Sequence, residues 1–172
     1  IVGLPVWLAL LAAPITAQQF LYNAAALPAQ SVWTDGVELV DVDADGDIDI
    51  LFANGSVYGG TGVAGAQPQH LFLNSGGVFT AAHSQLNVAN FNAKMVIAED
   101  FDNDGDPDLA YASGSTGSPP RLLLNDGTGN FTDVTLSRMP LLFLRSFSIV
   151  AGDVEGDGDL DLAVSDGGTF GG

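Results

Sequence analysis

Fifteen of the 21 acidic residues in this 172-residue chain fall in three short segments. They read Asp41-Val-Asp-Ala-Asp-Gly-Asp-Ile-Asp49, Asp100-Phe-Asp-Asn-Asp-Gly-Asp-Pro-Asp108 and Asp153-Val-Glu-Gly-Asp-Gly-Asp-Leu-Asp161. Counted from the first Asp, the odd positions are acidic in every copy and position 6 is Gly. Five carboxylates packed this closely repel one another strongly unless a cation sits among them. Alternate residues of a tightly curled loop can point inward together, and calcium takes six to eight hard oxygen ligands in flexible geometry. The first site is therefore expected to use Asp41, Asp43, Asp45 and Asp49 with the carbonyl of Asp47. The second uses Asp100, Asp102, Asp104 and Asp108 with the carbonyl of Asp106. The third uses Asp153, Glu155, Asp157 and Asp161 with the carbonyl of Asp159. Gly46, Gly105 and Gly158 supply the positive φ of a sharp turn. Glu155 is one methylene longer than its counterparts, which makes the third site the least regular. Magnesium fits less well, because it demands strict octahedral geometry and retains its waters.

An EF-hand shares acids at positions 1, 3 and 5 and Gly at 6, but it needs a bidentate Glu at position 12 between two helices. Position 12 here is Phe52, Tyr111 or Val164, each apolar and each within strand-like alternation. The EF-hand is therefore rejected.

Elements that position these loops follow from repeats. The loops are spaced by 59 and 53 residues. A second landmark holds the same register: Phe20-Leu-Tyr-Asn, Phe79-Thr-Ala-Ala and Phe131-Thr-Asp-Val. A third is His70-Leu-Phe-Leu-Asn74 and Arg121-Leu-Leu-Leu-Asn125. Val37 and Leu39 alternate before the first loop, and Ile48, Ile50 and Phe52 after it; the other loops are flanked likewise. Period two is the strand signature. Each loop thus joins two strands, the Leu-rich run is a third strand, and the Phe segment after a Gly turn is a fourth. Four antiparallel strands per repeat make the unit of a β-propeller blade. The expected fold is all-β, a partial propeller of about two and a half blades: residues 37–82, 94–135 and an incomplete 146–172. Residues 18–23 would give a fourth strand to a preceding or closing blade. Since a closed propeller has four to eight blades, the chain is expected to be part of a longer product or to assemble with other copies.

These loops, with the Leu-Phe-Leu-Asn and Asn-Phe-Thr-Asp-Val elements, resemble FG-GAP/VCBS repeats, the blades of integrin-α-like propellers and of many secreted bacterial proteins. The clearest match is Arg121-Leu-Leu-Leu-Asn-Asp-Gly-Thr-Gly-Asn-Phe-Thr-Asp-Val-Thr135, and the likeness extends over about residues 18–170. It implies a hairpin loop that binds calcium through positions 1, 3, 5, 7 and 9, the positions reached above from the residues. Glu155, and Pro107 at position 8 of the second loop, depart from the pattern. The resemblance also implies a secreted binding or adhesion module facing a protein or glycan ligand. Two rivals stand beside it: a propeller attached to a polysaccharide-degrading enzyme, and a subunit that self-assembles into a filament or surface layer.

Composition bounds the rest. The formal charge of -17 excludes electrostatic capture of nucleic acid. There is no cysteine, so disulfides and thiolate chemistry are excluded, and calcium becomes the obvious staple for an extracellular chain. The apolar run Val6–Ala13, followed by Pro14-Ile-Thr-Ala17, reads as a secretory signal peptide over residues 1–17, cut after Ala17. The run is too short to span a bilayer, so no membrane span is expected in the mature chain. No catalytic residue is assigned. His70 and His83 are read as packing or surface groups. Asn54 and Asn130 match the glycosylation acceptor pattern, and Trp33 is read as core or rim packing rather than a sugar platform.

Overall fold

The computed structural model describes residues 26–28, 32–55, 65–114 and 118–167. The expected signal segment 1–17 and strand 18–23 lie outside the described residues. The chain is all-β. The first sheet runs β1 (Trp33–Val40), β2 (Asp49–Gly55), β3 (His70–Ser75) and β4 (Val78–Ala81). The second repeats it with β5 (Ala93–Glu99), β6 (Asp108–Ser113), β7 (Arg121–Asn125) and β8 (Phe131–Asp133). Both are antiparallel meanders whose strands lie side by side in chain order. The third sheet is the hairpin β9 (Ile149–Gly152) and β10 (Asp161–Val164). This is the expected architecture of two whole blades and the first half of a third. Among the described residues, helix is confined to a 3-10 turn at His83–Leu86 and one turn, α1 (Thr135–Arg138). No helix among the described residues is long and apolar enough to cross a membrane.

Period-two alternation sorts side chains to the two faces of each blade. On β6, Leu109 and Tyr111 join Leu51, Ala53 and Leu71 of the first blade in one apolar layer. The intervening Ala110 and Ala112 point the other way, into a second layer with Ile149 of β9. Every residue of β6 is buried, as a central strand between two stacked sheets must be. Ile48 departs from the expected alternation. It lies outside β2, at the end of the acidic loop, and is 50% exposed.

The strands β1 and β5 approach each other closely at a glycine, Gly36. A Cβ on Gly36 would meet Lys94 O at 3.0 Å and Met95 Cα at 3.1 Å. Both strands slip register at the same place in the repeat, between Thr34 and Gly36 and between Ala93 and Met95. Such bulges re-aim a side chain. Here they turn Asp35 and Lys94 towards each other in an ion pair of 2.8 Å. Trp33, which donates its indole N–H to Asp35 Oδ1 at 3.3 Å, stays 44% exposed.

Replacing Gly36 by Ala overpacks this approach. The expected outcome in urea denaturation is a loss of about 1–3 kcal/mol of stability with an unchanged m-value.

Candidate metal centre

Each acidic loop closes a blade's first hairpin, and each is curled by the same hydrogen bonds. The carboxylate at position 1 folds back over its own loop. Asp41 accepts the backbone N–H of Asp45 (3.2 Å) on Oδ1 and that of Gly46 (2.9 Å) on Oδ2. Asp100 accepts from Asp104 (3.1 Å) and Gly105 (3.0 Å), and Asp153 from Asp157 (3.2 Å) and Gly158 (3.0 Å). The glycines at position 6 sit at φ of 94°, 97° and 96°, as the sequence predicts. Position 4 is also left-handed, at Ala44 (57°), Asn103 (60°) and Gly156 (77°). Sequence reasoning missed that position. The only signal was that two of its three residues, Asn and Gly, tolerate this conformation.

Position 9 carries the anchor. Asp49 is fully buried, accepting Val42 N–H on Oδ2 (2.9 Å) and Asn74 N–H on Oδ1 (2.8 Å). Asp108 repeats this with Phe101 (3.0 Å) and Asn125 (2.8 Å). Asp161 accepts from Val154 at 3.0 Å, but no third strand flanks it among the described residues, and it is only half-buried. Burial pushes the Asp49 carboxyl above the usual range and raises Asp108 to about 6.

Three carboxylates converge in each of the first two loops. Asp41, Asp43 and Asp49 offer oxygens within 4.8 Å of one another, and so do Asp100, Asp102 and Asp108. Asp45 and Asp104 lie outside these triads and instead accept the N–H of Asp47 (2.9 Å) and Asp106 (3.0 Å). The Asp47 side chain is turned to the next turn of its own blade, accepting Gly76 N–H at 2.6 Å. In the third loop Asp153, Glu155, Asp157 and Asp159 are all exposed, and no comparable triad forms among the described residues.

Whether a hard cation suits these loops is decided by position 3. Asp43 Oδ1 and Asp102 Oδ1 are buried and have no hydrogen-bond partner. An unpaired buried carboxylate oxygen is costly, and the same atom is left open in both repeats. Burial first, and then Asp45, raise the Asp43 carboxyl. An all-oxygen donor set with an open, inward acceptor fits calcium.

The other polar candidates sit elsewhere. His70 and His83 stack at 4.0 Å between ring centres, and His70 Nδ1 is buried without a partner. In the second blade the equivalent positions hold Arg121, paired to Asp133 at 3.1 Å, and Thr135, whose Oγ1 accepts Leu122 N–H at 3.0 Å. The histidines thus fill packing positions: their rings also meet Phe72 edge-on, and His83 Nδ1 lies 3.2 Å from Leu71 N. Asn54 is fully buried, accepting from Thr34 Oγ1 (2.8 Å) and donating to Pro68 O (2.8 Å). That environment leaves no room for a glycan there. Asn130 is exposed.

The repeating sheet, with an acid-lined hairpin at the same place in each copy, defines a propeller-blade repeat protein. A family model described as FG-GAP-like repeat matches residues 41–111 and 100–164. The chain belongs to that family. No curated protein matches it.

Burial, followed by the neighbouring His83, lowers His70 from 6.5 to about 4. Neutral His70 therefore contributes stability that is complete above pH 6.5 and is lost as the pH falls from 6.5 towards 4. Asp108 acts oppositely, since its folded form keeps its proton up to about pH 6 while the unfolded chain releases it near 3.8. A His70→Asn variant separates the two. The stability of wild type relative to this variant is expected to be flat above pH 6.5 and to drop by up to about 3 kcal/mol by pH 4, in urea titrations with chelator present.

Proposed function

We propose that this chain is part of a secreted calcium-stapled β-propeller, a binding or adhesion scaffold whose blades are each pinned by an ion at the first hairpin. The observation that carries the calcium reading is the open, buried Oδ1 of Asp43 and of Asp102 within the two carboxylate triads. Asp41, Asp43 and Asp49 would hold one ion, and Asp100, Asp102 and Asp108 the second. The acids and carbonyls at positions 5 and 7 complete each set. Asp153, Glu155, Asp157, Asp159 and Asp161 form a third, weaker site, since their loop is exposed. A bound divalent ion supplies charge neutralisation and fixes the loop; three of them would take the formal charge from -17 to about -11.

The family and the apolar run over residues 1–17 support secretion, and the scaffold role follows from what the carboxylates do. Those at positions 1, 5 and 9 of the loops are tied to backbone amides, and three of the four basic residues are paired to Asp35, Asp133 and Asp102. Neither arrangement suits acid–base catalysis, and the module proposed is a non-enzymatic one that presents a face to a protein or glycan.

Calcium at 100 times its dissociation constant is expected to add about 2.7 kcal/mol per site. Melting curves with calcium and with chelator test this, and an unchanged midpoint would sink the proposal. Asp43→Asn and Asp102→Asn each remove one site's share of the shift. Because a ligand must be deprotonated to hold metal, the affinity of the second loop is expected to weaken as the pH falls through about 6, where Asp108 takes up its proton.

A further inference from the structure

Asn125 belongs to the second blade, yet its side chain reaches into the first blade's acidic loop. Its backbone N–H donates to Asp108 Oδ1 at 2.8 Å. Its side-chain Nδ2 donates to Pro107 O at 3.1 Å and, buried, to Val42 O at 2.8 Å. Val42 lies between Asp41 and Asp43, and its own N–H donates to Asp49 Oδ2 at 2.9 Å. A continuous path therefore runs from the buried carboxylate of one loop to that of the next: Asp108, Asn125, the two peptide groups that flank Val42, Asp49.

The turn that follows Asn125 reinforces this path. Gly129 N–H donates to Asn125 Oδ1 at 3.1 Å. Gly129 is buried at φ 76°, and its Cα faces the first loop so closely that a Cβ would stand 3.4 Å from Val42 Cγ2 and 3.5 Å from Asp43 Cβ. The second blade thus forms one wall of the first blade's site. Asn74 provides an internal comparison. It caps Asp49 in the same way (2.8 Å), but its Nδ2 donates to Ile48 O within its own loop at 2.9 Å.

We propose that Asn125 is a positioning residue that couples the two loops, so that filling one with calcium raises the affinity of the other. The inference rests on the calcium reading above. Ordering the second loop fixes Asp108 and with it Asn125, which holds the Val42 peptide in the orientation that aims Asp41 and Asp43 inward. Coupling of this kind is reciprocal, and one buried hydrogen bond sets its scale at about fivefold.

The test is a calcium titration of the full 15N-labelled chain by NMR. The amide resonances of Gly46 and Gly105, both donors to a position-1 carboxylate, report the two loops separately. Asp102→Asn, which disables the second loop, is expected to weaken calcium binding at Gly46 about fivefold. In an Asn125→Ala or Asn125→Ser background the same substitution should leave the Gly46 curve unmoved. Asn74→Ala should weaken the Gly46 response while Asp102→Asn still shifts it. A Gly46 curve in otherwise wild-type protein that ignores Asp102→Asn overturns the coupling, whether or not the Asn125 variants fold. Coupling that survives without Asn125 overturns its role. No calcium response at either glycine overturns the calcium reading itself, and this inference with it.

Discussion

A carboxylate buried at the end of each acidic loop organises each complete blade. Asp49 and Asp108 are sealed from solvent, where an isolated charge is strongly disfavoured. Each is made tolerable by two backbone N–H donors, one from position 2 of its own loop and one from the end of the third strand. That pair of bonds does two jobs at once. It curls the loop so that positions 1 and 3 face the same interior, and it locks the hairpin of the first two strands to the third. The incomplete blade shows the dependence. Among the described residues Asp161 retains the first donor, Val154, but meets no third-strand amide, and residues 153–159 of its loop are exposed.

The stacking of blades uses the same loop. Position 2 is Val42 in the first copy, buried between the first and second blades, and Phe101 in the second, packed against the layer shared with the third. The third copy places Val154 there, 82% exposed. One residue of the acidic loop is therefore also a wedge between sheets, which ties loop geometry to interblade packing. The opposite face of the first blade shows the same logic. Val37 and Leu39 are 58% and 60% exposed, whereas Val96, which holds the position of Val37 in the second blade, is buried against the first.

What the sequence made legible was what repeats over short range. Acid spacing, the position-6 glycine and the alternation of Leu109, Tyr111 and their neighbours are each dictated by local backbone geometry, and the blades appeared where these fell. Less was legible where long-range contacts decide. Asn74 and Asn125 read only as ends of strands, because their function lies in amides that meet an aspartate 25 or 17 residues earlier in the chain. Asn54 matched an acceptor pattern that says nothing about burial. Asp45 and Asp104 were expected among the inner ligands by alternation alone, but each accepts the N–H two residues on, as Asp does in turns, and so stands outside the triad. The third loop matched its siblings in pattern and in backbone bonds, yet convergence of its carboxylates depends on a strand that local spacing cannot supply.

Charge sets the remaining constraint. Every acidic loop caps the same end of its sheet, so fifteen carboxylates collect along one rim. Neighbouring loops are close enough there that Asn103 Nδ2 donates to Asp159 Oδ1 of the next at 3.0 Å. Within each loop the backbone amides soften the repulsion, but a dipole offsets only part of a full charge, and the upward shifts of Asp43, Asp49 and Asp108 show where burial has outrun that relief. The chain has too few cations to compensate: of its four, Lys94 pairs beyond the loops, at the bulge it shares with Asp35, and Arg121 pairs with Asp133. Arg138 reaches a loop carboxylate, Asp102, at 3.7 Å and half exposed, where a surface pair contributes roughly 0–1 kcal/mol. A rim built in this way is stable in proportion to the positive charge it can gather from outside the chain. The blades that bury their position-9 aspartate most completely are the ones that stand to gain most from it.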